Sequence, residues 1–559
     1  MKLDNVPYVD ARTYGARGDG STDDTVAIQA GLDSLSTGSR LLLPPVASGG
    51  YWKVSGAITI TNNNVGVVTR GSKIKTTSST VHVFNVSGDD CYIEAEIEGS
   101  GTTVYNGSTY ASQIYCTGDR LTVKNCKLVN PATVGVHFDS SIGSVVENND
   151  ITGNFTSYPG DTHHSGIRAL GIVKCKISGN RIGKCVQGIT LGTGTLGAIN
   201  DDGENSSASR DNVISENRCW NNADNNIYQS SGHRNIIIAN ICKNALQTNN
   251  IKVCGVDNIV VNNETYNSNQ TDIAIKDGSG CIISGNRSYN AGGTAIKVLY
   301  LSDANLYNCI IENNIIDSPA TYGINILETN YTNIENVDIK NNIIKDGANY
   351  GILLTFGTDR KRINICGNTV ENPAHRGIYA DHIIESQVCN NTVLNSGIEG
   401  TEREGIYLLN SDNIIFMGNL AFDNQGTATQ SYGIRIASTC SSVTYGFNQA
   451  YGNDTADYSV SGNAIAVTDH IAGALQLIED FYMANNKPIK FRNNADDDDL
   501  YAMYLDTGDI LHIGNDTDVN GIIMPYLKSG TTQGGAGATE GELWCDTNDD
   551  NTVKLGAST

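Results

Sequence analysis

Residues 281–299, CIISGNRSYNAGGTAIKVL, contain the two elements that recur through the middle of the chain. The first is a short apolar strand that runs into a glycine or asparagine turn, here IISGN. The second has the form Gly-Ile-x-apolar-x, here in the variant AIKVL. The isoleucine or valine of the second element recurs mostly every 22–28 residues, at positions 136, 167, 189, 227, 251, 273, 296, 324, 352, 378, 406 and 434.

A period of this length indicates one supersecondary unit per repeat, stacked on its neighbours. The short β-branched strands between Gly and Asn turns show no helical periodicity, which excludes helical repeats. A leucine-rich repeat would need a leucine framework that the chain lacks. The pattern therefore predicts an all-β fold, a right-handed single-stranded parallel β-helix of about 12–14 coils with asparagine ladders at a turn.

The opening segment, NVPYVDARTYGARGDGSTDDTVAIQAGLDSL, contains four short motifs, Tyr14–Ala16, Gly18–Gly20, Thr22–Thr25 and Ala27–Gln29. In these motifs it resembles the pectate-lyase-like β-helix superfamily, which includes phage tailspikes, polysaccharide lyases and mannuronan epimerases. The resemblance implies a β-helix of the tailspike or polysaccharide depolymerase type. We expect a short helix to cover the first coil, capped by Thr22 or Asp23, and the aspartates of this segment to be structural.

Three regions follow from these patterns: an N-terminal cap over residues 1–45, the β-helix over 46–470, and a small β-rich module over 471–559. Residues 471–559 lack the coil spacing and alternate in the manner of antiparallel strands. The terminal segment GELWCDTNDDNTVKLGAST resembles the ends of viral tail-fibre and tailspike proteins. This resemblance implies that the module joins three chains into a homotrimer.

The formal net charge of −23 argues against nucleic acid as the main partner, because a phosphate-binding surface needs concentrated positive charge. No apolar run reaches the length of a membrane span, and the start MKLDNVPYVD lacks a signal-peptide pattern. We expect synthesis in the cytoplasm and a place in a virion tail or, after release, outside the cell. The 14 cysteines, in segments such as VKCKI, RINICGN and SQVCNN, are expected to be buried thiols without disulfides.

One outward-facing position per coil forms a predicted strip, because the residue after the inward isoleucine points away from the core. Stacked coils place these residues about 4.8 Å apart. The strip reads Tyr115, His137, Arg168, Thr190, Tyr228, Lys252, Ala274, Lys297, Asn325, Leu353, Tyr379, Tyr407 and Arg435. Cations pair with carboxylates and aromatic rings stack on sugars, so the strip favours an acidic polysaccharide as the ligand.

Two insertions are predicted to flank this strip as walls: TGNFTSYPGDTHHS before Arg168 and GTGTLGAINDDGENSSASRD after Thr190. Inserted loops on a regular scaffold often carry function. The turn residues His233 and Arg234 are expected at the same edge as the second wall. The predicted substrate-binding residues are Tyr115, Lys297, Arg234, His233, Tyr379 and Tyr407.

Cleavage of a uronate polymer by β-elimination needs a cation for the carboxylate, a base for the neighbouring proton and an acid for the leaving oxygen. Arg168 or His137 is a candidate for the first role. The proton transfers fall to tyrosine, lysine and histidine side chains near Arg168. The candidate catalytic residues are Arg168, His137, Tyr228, Lys252, His163, His164 and Asp139.

Three alternatives stay open on the same fold. A glycoside hydrolase needs two carboxylates, for which Asp139 with Asp161 or Asp381 with Glu385 are the candidates, or the acidic residues of the second wall. The second alternative is a mannuronan epimerase, whose motif Tyr-Gly-Phe-Asp-Pro-His is matched here only at Phe138-Asp139, within VGVHFDSSIG. A fibre that binds carbohydrate without cleaving it is the third alternative.

No cofactor is indicated with certainty. Carboxylates bind Ca²⁺, and Asp201, Asp202 and Glu204 are the weak candidates, although they lack the spacing of a calcium loop. No zinc pattern is present, because the cysteines are not paired as Cys-x-x-Cys and the histidines are scattered.

Overall fold

The computed structural model describes residues 6–101, 111–155, 164–193, 208–299, 305–327, 333–347, 349–398 and 402–460, and the strands between 465 and 555. The chain divides into two compact units, Met1–Asp469 and His470–Thr559. The first unit is a parallel β-solenoid of about fourteen turns, as the repeat predicts. Each coil contributes strands to three faces, which we call the front, second and third faces.

The front face contains Ile58–Ile60, Phe84–Val86, Ser112–Cys116, Val134–Asp139, Ser165–Leu170, Gln187–Gly192, Ile227–Gln229, Asn249–Cys254, Thr271–Lys276, Thr294–Leu299, Tyr322–Leu327, Glu404–Leu409, Tyr432–Ile436 and Ala456–Val460. The strands Tyr350–Cys366 and Ile378–Cys389 begin on the front face and bend onto the second. A separate two-stranded sheet pairs Ser209–Arg210 with Gly232–His233.

The second face contains Tyr8–Asp10, Arg40–Leu43, Thr122–Lys124, Val145–Glu147, Lys176–Ser178, Val213–Ser215, Ile236–Ile238, Ile259–Val261, Ile282–Ser284, Asn305–Glu312, Asn333–Lys340, Asp412–Met417, Ser441–Gly446 and Ile465–Val467. The strands Gly66–Thr76 and Tyr92–Glu98 bend from the second face onto the third. The third face contains Trp52–Val54, Lys127–Val129, Asp150–Thr152, Arg181–Gly183, Arg218–Trp220, Ile241–Lys243, Glu264–Tyr266, Arg287–Tyr289, Ile315–Asp317, Ile343–Lys345, Thr369–Glu371, Thr392–Leu394, Leu420–Phe422 and Gln449–Tyr451.

The inward residue of each front strand builds the core, as the alternation of side chains along a strand requires. These side chains are at most 1% exposed: Ile114, Val136, Ile167, Ile189, Ile227, Ile251, Ile273, Ile296, Ile324, Ile352, Ile378, Ile406 and Ile434. The stacked isoleucines form one continuous apolar column inside the solenoid. They therefore fix which residues of each front strand point outward.

An asparagine ladder runs along the turn between the second and third faces. Each side-chain amide donates to the next side-chain carbonyl at 2.9–3.0 Å. Its members are Asn149, Asn180, Asn217, Asn240, Asn263, Asn286, Asn314, Asn342, Asn368, Asn391, Asn419 and Asn448. The residue before each asparagine turns the chain with a positive φ, 54° at Asn262 and 65° at Gly285. The predicted ladder is confirmed.

The first coil is covered by the helix Thr25–Asp33, which follows the 3-10 turn Ala11–Tyr14. Ile28 and Leu32 of the helix are buried in the core, as expected of a cap. The helix begins after Asp24, so the prediction of Thr22 or Asp23 at the capping position was wrong. Asp24 instead accepts the backbone N–H groups of Arg17 and Gly18 at 2.7 and 3.0 Å, and this carboxylate is fully buried.

The described cysteines of the solenoid are buried free thiols, as predicted, apart from one pair. Cys366 and Cys389 form a disulfide. Each follows an inward residue, Ile365 or Val388, and therefore points outward, and the parallel register places the two side by side. The expectation of no disulfide was wrong for this pair. In RINICGN and SQVCNN the cysteine follows an inward-facing residue, so it occupies an outward position instead of a buried one.

The second unit contains two small sheets. One is antiparallel and the other combines a parallel with an antiparallel pair. The strands are Ile489–Arg492, Asp499–Leu505, Leu511–Ile513, Lys528–Gly530, Leu543–Asp546 and Thr552–Leu555. Assembly into a trimer through this unit stays a prediction. Among the described residues, no helix has the length and apolar character to cross a membrane.

Candidate functional site

The predicted strip is present on the front face. The parallel register pairs each predicted member with the next, from Tyr115 and His137 to Tyr407 and Arg435. Pointing outward does not make every member accessible, since neighbouring side chains cover some of them. The members that are at most 9% exposed are His137, Thr190, Ala274, Asn325 and Tyr407.

The first coils of the strip hold an aromatic and histidine cluster. The rings of His82 and Tyr115 are stacked with centroids 4.4 Å apart, and His137 lies 5.0 Å from Tyr115. Arg168 is the next member of the strip after His137. Asp139, at the end of the same strand as His137, lies close enough to Tyr115 to contribute to raising the tyrosine's pKa, after burial. The structure therefore brings Tyr115, His137, Asp139 and Arg168 together.

His137 is a neutral group in this cluster. Burial, reinforced by the positive charge of Arg168, lowers the pKa of His137 to about 3. The hypothesis that His137 neutralises a substrate carboxylate is therefore not supported. Arg168 remains the candidate for that role, because a guanidinium binds a carboxylate with two parallel hydrogen bonds.

We expect the ring of His137 to show no titration between about pH 5 and 8, where an ordinary histidine changes charge. The measurement is an NMR titration of the chain carrying labelled histidine, with His137→Gln to assign the signal. A transition near the ordinary histidine pKa would contradict the assignment of a neutral imidazole.

His164 is buried, whereas a proton-transfer group must reach the bound sugar. Its side chain is 2% exposed, and its ring lies 4.7 Å from that of Phe155. A group this deeply covered cannot reach a bound sugar without rearrangement, so its candidate catalytic role is not supported. Its neighbour His163 lies outside the described residues, with most of both predicted walls.

The middle of the strip pairs a lysine with a tyrosine. The Lys252 ammonium lies 5.1 Å from the centre of the Tyr228 ring. Burial, and then the charge of Lys276, lowers the pKa of Lys252, while burial raises the pKa of Tyr228 to about 12. These opposite shifts suit Lys252 to accept a proton and Tyr228 to donate one.

Asp224 adds a carboxylate beside this pair that sequence reasoning missed. It is 9% exposed, and it accepts hydrogen bonds from Thr248 Oγ1 at 2.6 Å and Asn225 Nδ2 at 2.8 Å. Gln187 Nε2 donates to it at 3.3 Å. The carboxylate is thus held by neutral donors from its own and both neighbouring coils, and after burial its charge contributes to raising the pKa of Tyr228.

Three lysines make this region cationic. Lys252 and Lys297 are strip members, and Lys276 ends the strand between them. Within the described part of the chain none of the three forms an ion pair, and each is half-buried. Three such charges on consecutive coils of a protein with net charge −23 make an anion-binding surface. The sequence prediction missed Lys276 because it considered one outward position per coil. The position two residues further along the strand also points outward, and there it is Lys276.

Other predicted site residues have structural partners. Arg234 donates from Nε and Nη2 to both carboxylate oxygens of Asp211, at 2.8 and 3.1 Å, so its guanidinium is committed to an ion pair. The backbone of His233 pairs with that of Arg210 in the short sheet formed by Ser209–Arg210 and Gly232–His233. The prediction of Arg234 as a substrate-binding residue is therefore not supported.

The predicted carboxylates Asp381 and Glu385 have separate partners. Asp381 accepts from Asn410 Nδ2 at 3.0 Å and contacts His382 Nδ1 at 2.7 Å. Glu385 lies beyond a turn and pairs with Lys361 at 3.3 Å and Arg362 at 3.5 Å. Asp161, the proposed partner of Asp139, lies outside the described residues.

No metal site can be assigned on the described ranges, where no cluster of three or more potential ligands occurs. The calcium candidates Asp201, Asp202 and Glu204 lie outside those ranges.

The last coils hold a second cluster that sequence reasoning found only in part. Tyr379 and Tyr407 are predicted members of the strip. The guanidinium of Arg376 lies 4.7 Å from the centre of each ring, and its Nε donates to Glu404 at 2.7 Å. Arg376 and Glu404 occupy the position before the repeated glycine, a second outward row that the predicted strip did not include.

The comparisons with known proteins agree with the fold. Residues 246–382 match the family model described as "Right handed beta helix region". A tailspike protein mutant of E. coli bacteriophage HK620, solved with a pentasaccharide, aligns over 78% of this chain and 80% of its own, with 11% identity and a TM-score of 0.50. Among curated proteins, no sequence matches the chain.

Two further solved structures align more weakly. The catalytic unit of a GH87 α-1,3-glucanase from Streptomyces thermodiastaticus covers 83% of this chain and 70% of its own, with 13% identity and a TM-score of 0.34. The mannuronan C-5 epimerase A-module of Azotobacter vinelandii aligns over 83% of this chain and 100% of its own, with 14% identity and a TM-score of 0.23. The chain is a right-handed parallel β-helix protein. Its likeness to the HK620 tailspike is one of fold.

Proposed function

We propose that this chain cleaves an acidic, uronate-containing polysaccharide by β-elimination along the strip. The observation that carries the proposal is the pair Lys276 and Lys297, which form no ion pair within the described ranges and lie on the two coils after Lys252 and its neighbour Tyr228, on a strongly acidic protein. Repeated cations along an axis suit a linear polymer with repeated carboxylates.

The chemistry assigns one role to each side chain. Lys276 and Lys297 bind the uronate carboxylate, which acidifies the proton on the carbon that bears it. The neutral amine of Lys252 takes that proton, the electron pair forms the new carbon–carbon double bond, and the glycosidic carbon–oxygen bond breaks. Tyr228 gives its phenolic proton to the leaving oxygen. Arg168, two coils away, holds a neighbouring carboxylate of the polymer.

The test is cleavage of polygalacturonate, alginate and hyaluronan, followed by the ultraviolet absorbance of the unsaturated product. We expect Arg168→Ala to lower kcat/KM about 10-fold or more, because one carboxylate contact is lost. Arg181→Ala, on the exposed third face, is the matched control and should cleave normally. An Arg168→Ala variant with unchanged kcat/KM would refute the site assignment.

The products separate the alternatives. New reducing ends without the unsaturated chromophore would mean hydrolysis instead of elimination. Binding without any cleavage would mean an adhesive fibre. We also propose that the chain forms a homotrimer joined through residues 471–559 and that it is carried on a virion tail or released outside the cell. The support for that extension is the resemblance of the terminal segment to tail-fibre ends.

A further inference from the structure

A row of four tyrosines follows the axis on the last coils of the front face. Successive ring centroids are 5.9 Å apart for Tyr322 and Tyr350, 6.2 Å for Tyr350 and Tyr379, and 5.5 Å for Tyr379 and Tyr407. The row crosses from one outward column to the other, because Tyr322 and Tyr350 precede the repeated glycine and Tyr379 and Tyr407 follow the inward isoleucine. Tyr322, Tyr350 and Tyr379 are half-buried and Tyr407 is 9% exposed, so the accessible aromatic surface extends over three coils.

Arg376 holds this row in place. Its guanidinium lies 4.7 Å from the ring centres of both Tyr379 and Tyr407, and 6.0 Å from that of Tyr350. It pairs with Glu404 at 2.7 Å and with Glu402 at 3.3 Å, and its side chain is 11% exposed. The hydroxyl of Tyr350 donates to the same Glu402.

Each arginine of this cluster is paired with a carboxylate. Arg376 and Arg435 pair with Glu402 and Glu404, and Glu404, whose side chain is 4% exposed, sits between the two arginines. The arginine contacts hold the pKa of Glu404 below its ordinary value although burial opposes them. The hydroxyl of Tyr379 also donates to Asp381 at 3.4 Å, so the cluster has no excess of positive charge, in contrast to the lysines several coils earlier, which form no ion pair within the described ranges.

The fold does not require this arrangement. The core under the cluster is complete, since Ile378, Ile406 and Ile434 are at most 1% exposed. A buried ion pair seldom stabilises a fold more than apolar side chains of the same size would, because both charges lose their hydration. Rings that are already fixed lose little conformational entropy when a ligand stacks on them. The cluster therefore has the properties of a preorganised binding surface.

We propose that Tyr350 and Tyr379, oriented by Arg376 and with the covered ring of Tyr407 5.5 Å from that of Tyr379, form a binding subsite for uncharged sugar units. The apolar face of a pyranose stacks on a tyrosine ring, and its hydroxyls bond with phenol and guanidinium groups. The surface offers no unpaired cation among its described residues, so a carboxylate gains no partner there. This subsite goes beyond the elimination chemistry and does not depend on it.

Affinity electrophoresis of the full chain in gels that contain dextran, laminarin or galactomannan tests the subsite. We expect at least one of these neutral polymers to retard the chain. Tyr379→Ala should weaken that binding about 10-fold, while Tyr379→Phe, which keeps the ring, should stay within about twofold. If Tyr379→Ala does not fold, Tyr379→Leu replaces it, because leucine fills the space without a ring.

Retardation by none of the neutral polymers would overturn the subsite, as would equal binding by wild type and the ring-deleting variant. Lys252→Met should bind the neutral polymers as wild type does. If the wild-type chain binds a neutral polymer but cleaves no acidic polymer, the proposed function alone is refuted; if it cleaves an acidic polymer but no neutral polymer retards it, the subsite alone is refuted.

Discussion

Replacing Lys252 by methionine is expected to lower kcat about 100-fold or more, while the chain keeps its fold and its affinity for neutral polymers. General base catalysis contributes roughly 10²–10⁴ to a rate, and methionine has the length of lysine without a basic atom. Lys252→Arg should be equally impaired, because arginine keeps the charge but does not give up its proton at working pH. The arginine variant therefore separates a base from a merely positive contact.

The pH profile provides a second readout for the same residue. Burial, and then Lys276, lowers the pKa of Lys252 from 10.5, so more of the amine is neutral at a given pH than in an ordinary lysine. The rate should rise with pH as Lys252 loses its proton. It should fall again only when Tyr228, with its pKa raised to about 12, loses the proton that it must donate.

Lys243→Met is the matched control for these measurements. Lys243 is exposed on the third face, where its ammonium lies 4.4 Å from the ring centre of Tyr266, away from the strip. It should cleave acidic polymers at the wild-type rate. If Lys252→Arg retained most of the activity, Lys252 would be a charge contact and the base would have to be another group.

Asn263→Ala is expected to destabilise the solenoid by about 2–4 kcal/mol. Asn263 Oδ1 accepts from the backbone N–H and the amide of Asn240, and its own amide donates to Ile237 O and Asn286 Oδ1. Alanine leaves these buried groups on both neighbouring coils without partners, and each such loss costs desolvation energy. The measurement is the thermal midpoint at matched scan rates, since long β-helices can unfold irreversibly.

Asn262→Gly is the control one residue away. Asn262 is exposed, and its φ of 54° is one that glycine adopts without strain. Its replacement should change stability by no more than about 0.5 kcal/mol. Equal midpoints for Asn263→Ala and wild type would show that the ladder does not stabilise the fold.

The fold and the register of the strip follow from sequence because both obey one rule. The repeated isoleucine must face the core, so the residue after it must face outward in every coil, and coils of parallel strands stack without slip. That is why Arg168, Tyr228, Lys252 and Lys297 fall on one line as predicted.

The remaining features of the site depend on properties that no single position encodes. The neutral state of His137 results from burial by neighbours on other coils. Arg376 and Glu404 could have been found by reading the residue before each repeated glycine, since the alternation makes that position outward as well. The ion pair of Arg234 with Asp211 joins two turns one coil apart. The repeat length indicates that these two residues are neighbours, whereas residue type alone does not.

The unbroken register of the front face has a consequence for the length of ligand that the chain distinguishes. Tyr228 and Tyr379 are six coils apart along the strip, which at about 4.8 Å per coil is roughly 29 Å. Because the asparagine ladder and the isoleucine column keep this interval constant, oligosaccharides shorter than it can occupy only one of the two clusters. Affinity should therefore increase in a step, not gradually, once a chain becomes long enough to span both.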